Sequence, residues 1–152
     1  MSTVDLAGMS GIEVLRQFQA RQDVDTPSIA RLLGMSFDEL EEGRVVMSLR
    51  TKPDFLNPIG VVHGGIAATL LDSVMGCAVH SALAAGVGYT TLELKVNYIR
   101  AVGVDDKLLV GTGNVLHLGR RTATAEGKVV DERGALVAHA TTTCMVFPPV
   151  RG

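Results

Sequence analysis

Between Asp54 and Glu93 lie 38 residues whose only formal charge is Asp72. Inside that stretch, Gly64 to Ala85 is apolar enough to be either a membrane span or a helix covered on nearly every side. A carboxylate at its midpoint, several glycines and strand-like segments before and after favour the covered helix. Such a helix cannot rest on a sheet with half its circumference in water. It must be wrapped, and long antiparallel strands that curl around it are the natural wrapper.

The rest of the chain supplies those strands. Met35–Glu41 and Arg44–Arg50 are separated by a Glu-Gly turn, and in the second of them Val45, Met47 and Leu49 alternate with Val46, Ser48 and Arg50. Beyond the helix come Tyr89–Arg100, Lys107–Leu118, Arg121–Asp131 and Leu136–Phe147. The breaks between them are Val102-Gly103, Leu118-Gly119 and Asp131-Glu132-Arg133-Gly134. Thr51–His63, with Pro53, Asn57, Pro58 and Gly60, reads as an irregular loop. Ahead of the strands, Ser10 caps a short amphipathic helix to Arg21, with Ile12, Leu15 and Phe18 as its apolar stripe. Thr26-Pro27 opens a second piece, Ser28–Leu33, with the proline in its first turn and Gly34 ending it. Residues 1–9 read as a disordered start. The expectation is an α+β fold, an antiparallel sheet around one long helix, with residues 1–33 as a partly helical extension and 34–152 as the main domain.

Composition narrows the function. A net charge of −2 gives no reason to expect nucleic acid or an acidic membrane as partner. Aromatics are only 4% and Trp is absent, so there is no stacking platform for single strands. Cys77 and Cys144 make neither a disulfide framework nor a metal cluster. The first residues lack the basic-then-apolar layout of a secretion signal, so the expected location is the cytoplasm.

Burying an unpaired carboxylate costs several kcal/mol by order of magnitude, so Asp72 is either satisfied by specific partners or kept for chemistry. Acyl and proton-transfer reactions use a carboxylate sheltered from water. The second candidate is the approach to the helix, Asn57-Pro58-Ile59-Gly60-Val61-Val62-His63-Gly64-Gly65. The first N–H groups of a helix have no internal acceptor, and glycine lets a ligand come close to them. Gly64 N–H is therefore a ready oxyanion donor; the same glycines would equally let the chain turn tightly. Asp72 follows Gly64 by eight residues, roughly 12 Å along a helix axis. One carbonyl cannot meet both groups of one helix. Two copies running antiparallel across a two-fold axis would bring Asp72 of one to Gly64 of the other, with Gly65, Ala67, Ala68, Gly76 and Ala78 permitting close approach.

These residues, Asn57-x5-His63-Gly64-Gly65-x6-Asp72 followed by Tyr89-Thr90-Thr91-Leu92-Glu93-Leu94 and Asn97-Tyr98-Ile99-Arg100, resemble the hotdog-fold thioesterases of the phenylacetate-pathway (PaaI-type) family from about Gly34 to Phe147. The resemblance implies hydrolysis of acyl-CoA by dimers, usually paired into tetramers, without metal or cofactor. It implies Asp72 as nucleophile or general base, Gly64 as oxyanion donor, Asn57 orienting water or carbonyl, His63 steadying the thioester end and Thr91 supporting the acid. Gly65 would lie along the substrate. Gly119-Arg120-Arg121 resembles a turn near the nucleotide of CoA, and two guanidinium groups there suit phosphate. Arg100 is a weaker candidate for the same task. The resemblance does not reach the helix Ser10–Arg21.

Val74, Met75 and Ile59 are the expected lining of an acyl pocket, and their sizes do not separate aryl from aliphatic groups. His80, His117 and His139 read as surface or satisfied core residues. Two other functions use the same residues: a hydratase or dehydratase with His63 and Asp72, and a non-catalytic acyl-CoA-binding domain, which would not require the acid.

Overall fold

The computed structural model describes residues 6–21 and 26–149. Its centre is the helix α3, whose Leu70, Leu71, Val74, Met75, Ala78 and Val79 are completely buried. In chain order the elements are α1 (Gly11–Arg21), α2 (Ile29–Leu33), β1 (Ser36–Glu41), β2 (Arg44–Arg50), α3 (Gly64–Ser81), β3 (Gly88–Tyr98), β4 (Leu108–Leu118), β5 (Thr122–Val130) and β6 (Leu136–Phe147). The six strands form one antiparallel sheet in the order β1-β2-β4-β5-β6-β3, curled around α3. Among the described residues no helix is long and apolar enough to cross a membrane. The apolar stretch is a wrapped helix.

Helix and sheet come very close because glycines of the sheet face the helix. A Cβ on Gly113 of β4 would lie 2.3 Å from the carbonyl oxygen of Val74, and one on Gly111 2.9 Å from Leu70 Cγ. On β5, Gly127 makes the same room for Met75. These absences of side chains set the depth at which α3 sits.

The sheet has two edges of different character. β1 is short, carries Asp38, Glu39 and Glu41, and is bulged between Phe37 and Glu39. Those features discourage pairing with another strand. β3 is 11 residues long and, among the described residues, pairs only with β6 and has no strand on its other edge.

Some expected boundaries move for local reasons. α3 stops at Ser81, not Ala85. The Ser81 hydroxyl donates to Ala78 O at 2.7 Å and accepts from Gly43 N–H at 2.8 Å, which ties the helix end to the β1–β2 turn. Pro27 lies outside α2, because Ser28 takes the cap and accepts the Arg31 N–H at 3.1 Å. The loop after β2 holds a 3-10 turn, Pro53–Phe55, and a bridge between Leu56 and Val62.

In α1 the buried residues are Gly11, Val14 and Leu15, whereas Phe18 is 48% exposed. The docking point decides the stripe. Gly11 N–H donates to Leu83 O at 2.9 Å, and its Cα presses on the His80 carbonyl so closely that no side chain fits. The extension thus braces the C-terminal end of α3. Of the start read as disordered, residues 1–5 lie outside the described residues.

Candidate active site

Asp72 lies half-buried on the side of α3 turned away from the β4 and β5 glycines, in an open recess of about 390 Å³ with Gly65, Ala68, Thr69, Thr91 and Leu94. The Thr91 hydroxyl donates to its Oδ1 at 2.9 Å. Among the described residues no basic side chain is within ion-pair distance of it. The contact depends on a bulge. The register of β3 against β6 slips between Thr91 and Glu93, so Thr91 faces inward opposite Cys144 while Leu92 is thrown out, 52% exposed. Thr91 therefore fixes one carboxylate oxygen and leaves Oδ2 for other work.

Asp72 also colours its surroundings. Burial, with the negative charge of Asp72 added, pushes the Cys77 thiol up to about 12. Burial likewise raises Cys144 and Tyr89, with smaller contributions from Asp72. With both pKa values raised, neither thiol is a thiolate near neutrality.

The start of α3 forms a separate arrangement. His63 caps the helix: its Nδ1 accepts the Gly65 N–H at 2.8 Å, so the neutral ring carries its proton on Nε2. That uses the Gly65 donor. Gly64 N–H makes no backbone or side-chain hydrogen bond among the described residues. Asn57 shapes the approach, its Oδ1 accepting Ile59 N–H and Val61 N–H, both at 3.1 Å. Beside Gly64 lies a mainly apolar recess of about 290 Å³, lined in part by Val62, Ala67, Tyr98, Val102, Leu109 and Val137, with Arg100 at its margin.

Within one chain the two recesses are distinct; Gly64 lines one and Asp72 the other. Val74 and Met75 line neither, because both are buried against the sheet at 0% exposure, and Ile59 is 84% exposed in the loop. None of these three expected lining residues borders either recess. Ala67 and Ala78 also face the core, which leaves Gly65 and Ala68 as the small residues of the open face. Gly76 lies beneath the Tyr89 ring. Arg120 and Arg121 are exposed in the β4–β5 turn, beyond the C-terminal half of α3, and make no ion pair among the described residues. Gly119 N–H closes that turn on Thr122 O at 2.8 Å.

His80 is half-buried against the Tyr89 ring, centroids 5.4 Å apart, and burial lowers its pKa. His117 and His139 stand on exposed strand positions. Reading the sequence missed the part played by Tyr98, whose hydroxyl donates to Gly64 O at 2.9 Å. Nothing in the spacing of residues 64 and 98 signals that contact, which only the sheet creates.

A sheet wrapped around one helix, with an acid on the open face of the helix and glycines at its start, is the layout of a hotdog-fold hydrolase. The chain belongs to the thioesterase superfamily, whose family model matches residues 59–138. It is 34% identical over 112 residues to a provisionally named esterase of Halobacterium salinarum, covering 70% of this chain and 72% of that one. The phenylacetic acid degradation protein PaaI of Thermus thermophilus, solved as a variant, is 30% identical with a TM-score of 0.70, over 76% of this chain and 96% of that one. A hypothetical thioesterase of Streptococcus pneumoniae, solved with coenzyme A, is 30% identical with a TM-score of 0.69, over 76% and 87% of the two chains. Fold and likeness together are those of the PaaI type.

Proposed function

We propose that the protein hydrolyses acyl-CoA thioesters at two equivalent sites, each shared by two copies of the chain. The observation that carries this reading is the separation of the two groups. Among the described residues Gly64 N–H has no acceptor at the start of α3, and Asp72 waits eight residues further along the same helix. The free edge of β3 supplies the means of pairing. A second β3 added antiparallel continues the sheet and sets the two α3 helices antiparallel, Asp72 of one facing Gly64 of the other.

In such a site the thioester carbonyl oxygen accepts the Gly64 N–H, which stabilises the oxyanion as it forms. Asp72, oriented by Thr91, takes a proton from water through Oδ2 while the hydroxide adds to the carbonyl carbon. Collapse expels the CoA thiolate, which is protonated to the thiol, and leaves the free acid. In the alternative form the carboxylate attacks directly and water then cleaves the mixed anhydride; both consume one water. Asn57 holds the loop that presents Gly64. Gly65 and Ala68 keep the open face shallow enough for substrate. The apolar recess beside Gly64 has room for an aryl or short aliphatic acyl group. The uncommitted guanidinium groups of Arg120 and Arg121, and more weakly Arg100, suit the phosphates of CoA.

Hydratase chemistry is less well served. It needs a histidine free to move protons, and His63 Nδ1 is committed to the Gly65 N–H. Thiol release measured over a panel of aryl and aliphatic acyl-CoAs tests the activity, and Asp72→Asn, expected to bind substrate without releasing thiol, separates enzyme from binder. Mixing Asp72→Asn with Gly64→Pro, which removes the donor N–H at the first helical position, tests the sharing. Subunit exchange should restore thiol release, since a mixed pair holds one intact site; no recovery despite exchange would place each site within one chain. Sedimentation reports whether the pairs assemble further into tetramers.

A further inference from the structure

We infer that Tyr98 is a positioning residue for the oxyanion donor, resting on the reading of Gly64 given above. The first turn of a helix is its least constrained, because its N–H groups have no partners within the helix. Here the peptide joining Gly64 to Gly65 is held at both ends by side chains from different elements. Its carbonyl accepts the Tyr98 hydroxyl at 2.9 Å and its N–H donates to His63 Nδ1 at 2.8 Å. The Gly64 N–H belongs to the neighbouring peptide, whose carbonyl, His63 O, accepts the Ile66 N–H at 3.0 Å; with the planes on both sides of Gly64 Cα held, its N–H keeps a set direction.

The residue at 64 and the tyrosine are matched in shape. A Cβ on Gly64 would stand 3.0 Å from Tyr98 Cζ, so glycine is what lets the ring lie against the helix start. Tyr98 is itself well anchored, since it ends β3 opposite Ala138 of β6. The sheet therefore sets the orientation of the helix start through one hydroxyl. Core stability is a poor explanation for this bond, because Tyr98 is 56% exposed. A donor in a site built for a developing charge acts only if it is aimed beforehand, and loss of its support costs rate more than binding.

Tyr98→Phe keeps the ring and the strand and removes the hydroxyl. The expected result is a fall in kcat of about ten- to a hundredfold with KM within about threefold, and an unchanged melting temperature. A spectroscopic signature separates aim from general damage. In an Asp72→Asn background, a bound aryl-CoA thioester should show a carbonyl stretch shifted to low frequency, and adding Tyr98→Phe should return it toward the free value. An unchanged kcat in Tyr98→Phe, a rise in KM equal to the fall in kcat, or an unmoved carbonyl stretch in the double variant would each overturn the inference. Full turnover by Asp72→Asn alone would instead strike the underlying reading, so the two failures are distinguishable.

Discussion

The two faces of α3 are made from one helix and obey opposite rules. The face against the sheet is filled by Leu70, Leu71, Val74, Met75 and Val79, all at 0% exposure, meeting strands whose glycines bring the backbones together. The open face carries Gly65, Ala68, Thr69 and Asp72, half-buried and shallow. On the first face the side chains are wholly removed from solvent, and any change of volume is felt. On the second, one carboxylate is held by the Thr91 hydroxyl at a distance of 2.9 Å. The contrast teaches that a helix can anchor a fold with one side because its other side is exempt from packing and free to carry a charge.

Several substitutions would break or sharpen that contrast. Gly113→Val is expected to do the greatest harm, because its Cβ would fall 2.3 Å from the Val74 carbonyl and force α3 off the sheet. A cost of at least about 4 kcal/mol, seen as loss of the cooperative melting transition, is expected; a variant melting near the wild-type temperature would show that the sheet yields. Next, Leu71→Ala leaves a cavity in the packed face and should cost about 3 kcal/mol in chemical denaturation, with folded protein still active.

Asp72→Asn belongs to the other face and should invert that pattern. Thiol release should slow by at least about a hundredfold, near 2.7 kcal/mol of barrier, while stability holds or rises; a drop in melting temperature comparable to that of Leu71→Ala would mean that the carboxylate serves the fold. Thr91→Val, which loses only the hydroxyl on Oδ1, should lower kcat about tenfold with little change in KM. Steady-state kinetics decides it, and equal losses in both parameters would point to a misshapen recess.

Stability should also depend on pH. The Cys77 thiol is raised from 9 to about 12 in the folded chain, chiefly by burial. Its contribution to stability should be complete below pH 9 and be lost as pH rises toward about 12. His80 acts in the other direction, since burial lowers its pKa below 6.5, so stability should decline as pH falls through that region. Melting curves against pH, with Cys77→Ala flattening the alkaline limb, provide the check.

Much of this was readable from the residues. An apolar helix flanked by alternating strands had to be wrapped, and β2, β4, β5 and β6 fall within a residue or so of their expected bounds. Asp72 stood out because a charge amid apolar residues needs a reason, and the glycines after His63 marked the helix start. The acyl pocket was not legible. Val74 and Met75 are apolar and close to Asp72 in sequence, but each residue of a helix turns about 100° from the last, and theirs is the direction of the sheet. The same rotation put Ala67 and Ala78 in the core. The stripe of α1 was misjudged because its docking point is a backbone carbonyl, that of His80, which leaves no trace in hydrophobic spacing.

Local order along the chain determined which segments become helix or strand and where the isolated charge falls, because periodicity and turn chemistry act over a few residues. Only the tertiary structure decided which side of α3 stays open, that a bulge aims Thr91 at Asp72, and that Tyr98 reaches Gly64 across 34 positions. Those are contacts between distant segments, set by strand register and by the depth to which glycines let a helix sink, and neither quantity is written in any short stretch of residues.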